Sequence, residues 1–336
     1  MRITNTIITA VCAVAINIGL ITSSFAETKV LKLASFVPPV YILHEPIFEK
    51  LASDLEGATG GSVKIEIYPS GELGQGPVEQ YKRAVTRIAE ISYGLPGYTS
   101  PVFPKTLLIE LPGMTQGHAD ATSKLWKVMD EHLRDEFKKT VPLALFVTPP
   151  SVLMMSNTPI RSMSDLDGLK IRVASSSAAK VVESWGATAV PMPANKVYTS
   201  MSTGVVDGAL MGSDSLLIFK LIETTKYVTT NLPEMPTAIF LVANEEAYNE
   251  LSSAERSALD ALTGEGISQR SAEGLAKFGG IAMSKFGAIE GNETITLSDD
   301  QRALMESTAS AAVSELLSDL DDKGINASAV VSSMKK

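Results

Sequence analysis

Among 336 residues the chain has one cysteine, three histidines and two tryptophans. The cysteine, Cys12, falls within the first 26 residues, and none follows it. Disulfides and thiolate metal sites are thereby excluded from the rest of the chain. His44, His118 and His132 are scattered, and none stands in an HExxH pattern or at another metal-ligand spacing. There is no G-x-S-x-G elbow and no GxxxxGK[ST] phosphate loop. The glycine-rich "GELGQG" (71–76) lacks the G-x-G-x-x-G spacing. Serine, histidine and aspartate are present, but without a local signature they carry no catalytic reading. No metal, no cofactor and no catalysis are therefore expected. An excess of basic residues is also missing, for the formal charge is -9. That disfavours nucleic acid and anionic lipid as partners. Beyond the N-terminus no apolar run is long enough to cross a membrane.

What is present begins with "MRITNTIITAVCAVAINIGLITSSFAET". Arg2 is a positive start, Ile7 to Ile21 is an uncharged apolar run, and Ser24-Phe25-Ala26 is a small-x-small site. This pattern predicts an export signal, residues 1–26, cleaved after Ala26. The run is short for a membrane span of ~20 residues. Cys12 lies too early, with the wrong neighbours, for a lipidation site. Losing Arg2 with the signal leaves the mature chain at -10. Its roughly 310 residues can bury a core large enough to dispense with disulfides.

Length favours two domains. "VLKLASF" (30–36) reads as a buried strand. The spacing of Ile47, Phe48, Leu51 and Leu55 predicts an amphipathic helix over 44–61. "SVKIEIYP" (62–69) alternates as a strand. A helix at 76–88 and a strand from Ala89 into a Gly/Pro loop follow. Strands separated by helices imply a parallel sheet with crossovers. A helical stretch (119–139) precedes strand sequence over 142–156. A second α/β pattern then starts near residue 150. It runs through a turn (163–168), the strand "LKIRV" (169–173), a helix (176–185), a short strand (187–192), a helix from Ala194 and the strand "VDGALMG" (206–212). From about 245 the chain is mainly helical. Two α/β lobes without long linkers suit a cleft that closes on a ligand.

Four segments carry a resemblance. They are "EIYPSGELGQ" (66–75), "IELPGM" (109–114), "SMSDLDGLKIRV" (162–173) and "GATAVPMPANKVYTSMSTGVVDGA" (186–209). In this order and spacing, across nearly all of 30–330, they resemble the TRAP-type periplasmic solute-binding proteins. The resemblance implies two interleaved α/β lobes with a cleft and a long bracing helix. It places lobe I at 27–150 plus about 239–280, and lobe II at 151–238 plus about 281–332. It implies a periplasmic protein that binds a small organic acid and hands it to the transporter's membrane subunits, with uptake drawing on an ion gradient. The arginine that pairs with the ligand carboxylate in that family corresponds to Arg172. A guanidinium offers two parallel N–H donors and stays charged when desolvated. Lys170, on the same strand face, reads as a solvated or loop-pairing cation.

The sequence departs from the family pattern at three usually polar places. Val152 stands where a second arginine can occur. Met211, or its neighbour Gly212, stands at the usual asparagine. The loop "GLPGYTS" (94–100) supplies Leu95 and Tyr98. Burying a ligand hydroxyl or second carboxylate unpaired costs about 1–3 kcal/mol. The expected ligand is therefore a monocarboxylate with an apolar or aromatic body. Leu95, Tyr98, Val152, Met154 and Met211 are its expected wall, with Ser35, Phe36 and Tyr41 near the cleft mouth. A dicarboxylate or sugar acid is the alternative within the family, and a periplasmic enzyme or sensor module on the same fold is the alternative outside it.

Overall fold

The structure, a computed structural model, describes residues 28–74 and 76–336. The expected export signal lies outside the described residues. Alternation sets the first strands. β1 (Lys29–Ala34) pairs in parallel with β2 (Val63–Tyr68), which buries Val63 and Ile65 and exposes Lys64 and Glu66. Between them a helix buries Ile47, Phe48, Leu51 and Leu55, the residues whose spacing predicted it. β3 (Ile91–Gly94) joins β1 on its other side, also in parallel. β4 (Thr140–Val147) leads through Thr148-Pro149-Pro150 to β5 (Ser151–Met155).

β5 opens a second sheet with β6 (Lys170–Val173), β7 (Thr188–Pro191), β8 (Gly208–Gly212) and β9 (Tyr227–Thr230). The chain then returns as β10 (Ala238–Asn244), and β11 (Glu293–Thr296) goes back to the second sheet. The orders are β2-β1-β3-β10-β4 and β11-β9-β5-β8-β6-β7.

The expectation of parallel strands needs correction in both sheets. β10 is antiparallel to β3 and β4, and β5 is antiparallel to β8 and β9. The cause is the crossing itself. A strand that arrives from the other lobe starts at the interface and runs away from it. Its neighbours end there. The carboxyl ends of β1, β3, β4, β6 and β8 therefore meet between the lobes, which is where open α/β sheets bind ligands.

One helix, Glu265–Gly287, belongs to both lobes. Ile267, Ser271, Leu275, Gly279, Ala282 and Phe286 recur at helical spacing and are buried on one face. Ile267, Ala272 and Leu275 pack into the core of the first lobe. Ala282 and Phe286 pack with Met154 and Val206 in the second. A third apolar cluster runs from Leu145 and Phe240 to Leu153 and Ile171, so the two sheets also share core on one side. Among the described residues no helix is long and apolar enough to cross a membrane.

Candidate ligand-binding site

Between the lobes lies a cavity of about 470 Å³, counting the solvent at its mouth. Its first-lobe wall is aromatic. Phe36, just past β1, lies nearly parallel to Tyr93 of β3, with centroids 5.8 Å apart at 25°. It meets Tyr98 edge-on, at 6.3 Å and 66°. The hydroxyls of Tyr41 and Tyr93 are 2.6 Å apart, so one donates to the other. Val37, Leu95, Thr148, Thr237 and Ile239 also line this side. The second-lobe wall holds Arg172 from β6, Met211 and Gly212 from β8, then Asp214 and Phe219.

Arg172 is 2 % exposed. Its Nε donates to the Met192 carbonyl at 2.9 Å, while Nη2 is buried with no hydrogen-bond partner. Burial lowers its pKa, and the neighbouring Tyr98 and Glu110 push it back up. Among the described residues lining the cavity it is the only cation. A buried guanidinium with an unused donor is costly unless an anion arrives. Lys170, two residues earlier, is exposed; its amide donates to the Asp207 carboxylate at 2.8 Å.

The lobes are clasped beside Arg172. The Ala194 amide donates to the Tyr98 hydroxyl at 2.9 Å, and the Ser176 amide to Ser100 Oγ at 3.3 Å. Glu110 accepts from Ser175 Oγ and, at 2.8 Å, from the Ala238 amide. Burial pushes its carboxyl up to about 7, against the pull of those donors and of Arg172. Gly97 allows the close approach. A Cβ there would lie 2.9 Å from the Ala174 carbonyl oxygen and 3.0 Å from Ser175 Cβ.

Compared with known protein families, residues 33–319 match the model of the bacterial extracellular solute-binding proteins, family 7. The chain belongs to that family. Relatives of this solute-binding protein include the outer membrane transporter protein TsaT of Comamonas testosteroni, 27 % identical over 77 % of each chain. Another is the C4-dicarboxylate-binding periplasmic protein DctP of Rhodobacter capsulatus, 26 % identical over 75 % of this chain and 76 % of that one. Among solved structures, a TRAP solute-binding protein from an unidentified marine microbe superposes with a TM-score of 0.88. It is 25 % identical, and the match covers 92 % of this chain and 97 % of that one. That protein is described as specific for aromatic acids and was crystallised with 3-hydroxybenzoate.

In this TRAP-type protein the cavity brings together Arg172, Tyr98, Leu95, Met211 and Phe36 of the expected residues. Three others lie elsewhere. Val152 and Met154 are buried in the apolar cluster with Val206 and Phe286 and do not line the cavity. They share the sheet face of Met211, which pairs with Val152, but helix residues cover that face there. Ser35 is fully buried, and its Oγ accepts from the Val37 amide at 3.3 Å, closing the turn after β1.

One charged cavity residue was not among those expected. Asp214 lines the cavity, 4 % exposed. Its Oδ1 has no partner. Burial pushes its pKa up to about 7, with its own amide and that of Ser215 pulling it down. A Cβ on Gly212 would lie 2.4 Å from that Oδ1. Gly212 is thus the hollow that holds the Asp214 carboxyl.

Proposed function

We propose that this solute-binding protein captures an aromatic monocarboxylate between its lobes in the periplasm and delivers it to the membrane subunits of a TRAP transporter. The observation that carries this reading is Arg172, a buried cation with an unused N–H, set opposite an aromatic wall. The carboxylate meets the guanidinium and the ring meets Phe36, Tyr93 and Tyr98. Offset or edge-on ring pairs contribute about 0.5–1.5 kcal/mol each beyond their buried area. The marine relative crystallised with 3-hydroxybenzoate supports the same class. A C4-dicarboxylate fits less well, since no second cation lines the cavity among the described residues and Asp214 would repel its second charge. The two lobes are taken as 27–150 with about 239–280 and 151–238 with about 281–332, a division that the crossings from β4 to β5 and from β9 to β10 support. The protein binds and releases its ligand unchanged.

A thermal-shift screen of organic acids tests the reading. Ligand at 100 times its Kd stabilises by about 2.7 kcal/mol. Benzoate-type acids should raise the melting temperature, and Arg172→Ala should abolish the rise. A response to succinate or uronates with none to aromatic acids would overturn the assignment. Conversion of a bound acid to a product would overturn the binding role.

A further inference from the structure

A buried carboxyl oxygen without a partner is costly, and the fold makes room for one. Asp214 sits on the cavity wall with Oδ1 unpartnered, and Gly212 lacks the Cβ that would displace it. It forms no ion pair with Arg172, although both line the same cavity. The cavity therefore has two charged-group poles that do not pair with each other, on a lining otherwise apolar but for Thr148, Ser215, Thr237 and the tyrosines. The second pole includes the Tyr41–Tyr93 hydroxyl pair. Burial raises the pKa of both phenols, and the nearby Asp214 adds a smaller push in the same direction. One of the two hydroxyls donates to the other, which leaves the second with a proton to give.

We propose that Asp214 and the Tyr41–Tyr93 pair read a phenolic hydroxyl on the ligand, carried at a ring position away from the carboxylate. This rests on the aromatic-monocarboxylate reading and adds the substituent to it. A hydroxyl donates one hydrogen bond and accepts others. It can donate to Asp214 Oδ1 and accept the spare tyrosine proton. An ammonium only donates, so it would leave the tyrosine proton unmatched. An ether oxygen only accepts, so it would leave Oδ1 orphaned. The hydroxyl is the substituent that satisfies both groups.

Titration calorimetry on the mature protein with benzoate, its 3- and 4-hydroxy derivatives, 3-methoxybenzoate and 3-(aminomethyl)benzoate tests this. One hydroxybenzoate should bind at least about tenfold tighter than benzoate, a difference of about 1.4 kcal/mol. The methoxy and aminomethyl acids should show no such gain. In Asp214→Ala the Kd ratio of benzoate to that hydroxybenzoate should fall to within about twofold. Asp214→Asn keeps an acceptor oxygen and the shape, so it should retain part of the preference, and it serves if the alanine variant does not fold. A hydroxyl preference that survives both substitutions overturns the proposal, as does a tighter aminomethyl acid. Benzoate binding through Arg172 without any hydroxyl preference overturns it and leaves the parent reading intact. Failure of all five acids to bind removes both.

Discussion

Replacing Gly97 by alanine should weaken ligand binding without unfolding the protein. The added Cβ would stand 2.9 Å from the Ala174 oxygen and 3.3 Å from the Ala174 carbon, both backbone atoms of the opposite lobe. Ordinary contact needs several tenths of an ångström more. Neither backbone atom can rotate away, so the lobes must part across the line of bonds from Tyr98 to Ala194 and from Ser100 to Ser176. Overpacking of this kind costs about 1–3 kcal/mol. Charged to the closed form alone, that weakens binding roughly 5- to 150-fold. The ligand-free protein escapes the clash by opening, as it must to admit a ligand to a buried Arg172. Its stability should hold, or rise by about 0.4–1 kcal/mol from the smaller entropy of the unfolded chain. Calorimetric titration with the best benzoate-type acid gives the first quantity, and thermal unfolding without ligand gives the second. Wild-type affinity in the alanine variant would refute the reasoning. So would an equal loss of stability with and without ligand.

The control is Gly280→Ala in the long helix, where a Cβ meets nothing within 4 Å. It should stabilise by about 0.8–1 kcal/mol and leave affinity unchanged. Arg172→Met should cost at least ~100-fold in affinity, from the loss of a buried charge pair worth about 3–5 kcal/mol to break; denaturant unfolding of the ligand-free variant should show no matching loss, because an unpaired buried cation is removed. Asp214→Asn should flatten the pH dependence of stability. The Asp214 carboxyl titrates at about 7 when folded against 3.8 as the reference value, so the folded state holds the proton more tightly. Its contribution is full below about 4 and is lost as pH rises through about 7, a difference on the order of 4 kcal/mol. Glu110 and Glu136 are raised in the same sense, so the variant should keep a smaller slope between pH 4 and 8, read by urea unfolding.

Much of the site was legible because it sits at strand ends. Arg172, Met211, Leu95 and Phe36 lie in or just past runs whose alternation or turn residues mark them, and the family motifs fix their order. Val152 and Met154 show the limit of that method. Alternation assigns a face, but which stretch of the face is covered depends on helices far away in sequence. β10 reads AIFLVAN, apolar up to its last residue and buried on both sides, so it has no period to separate it from a buried helix. Its antiparallel setting depends on the chain returning from the other lobe, which no local pattern encodes. Asp214 was missed for the opposite reason. An acid two residues beyond a strand looks like a surface turn, and only Gly212 before it hints at the hollow it fills. Tyr93 reads as ordinary core from its strand, yet its hydroxyl faces the cavity partner Tyr41.

The repeated crossing of the chain has a consequence for how such a protein can be rebuilt. Neither lobe is a continuous stretch of gene. A chain cut after β9 would leave β3 and β4 without the strand between them, and would remove the helix Glu265–Gly287 from both cores. Recombination at one junction between β4 and β5 would exchange the aromatic wall and keep the arginine side, but it would set β10 of one parent between β3 and β4 of the other. New specificity that leaves both sheets intact comes residue by residue, at the loops that follow the strands.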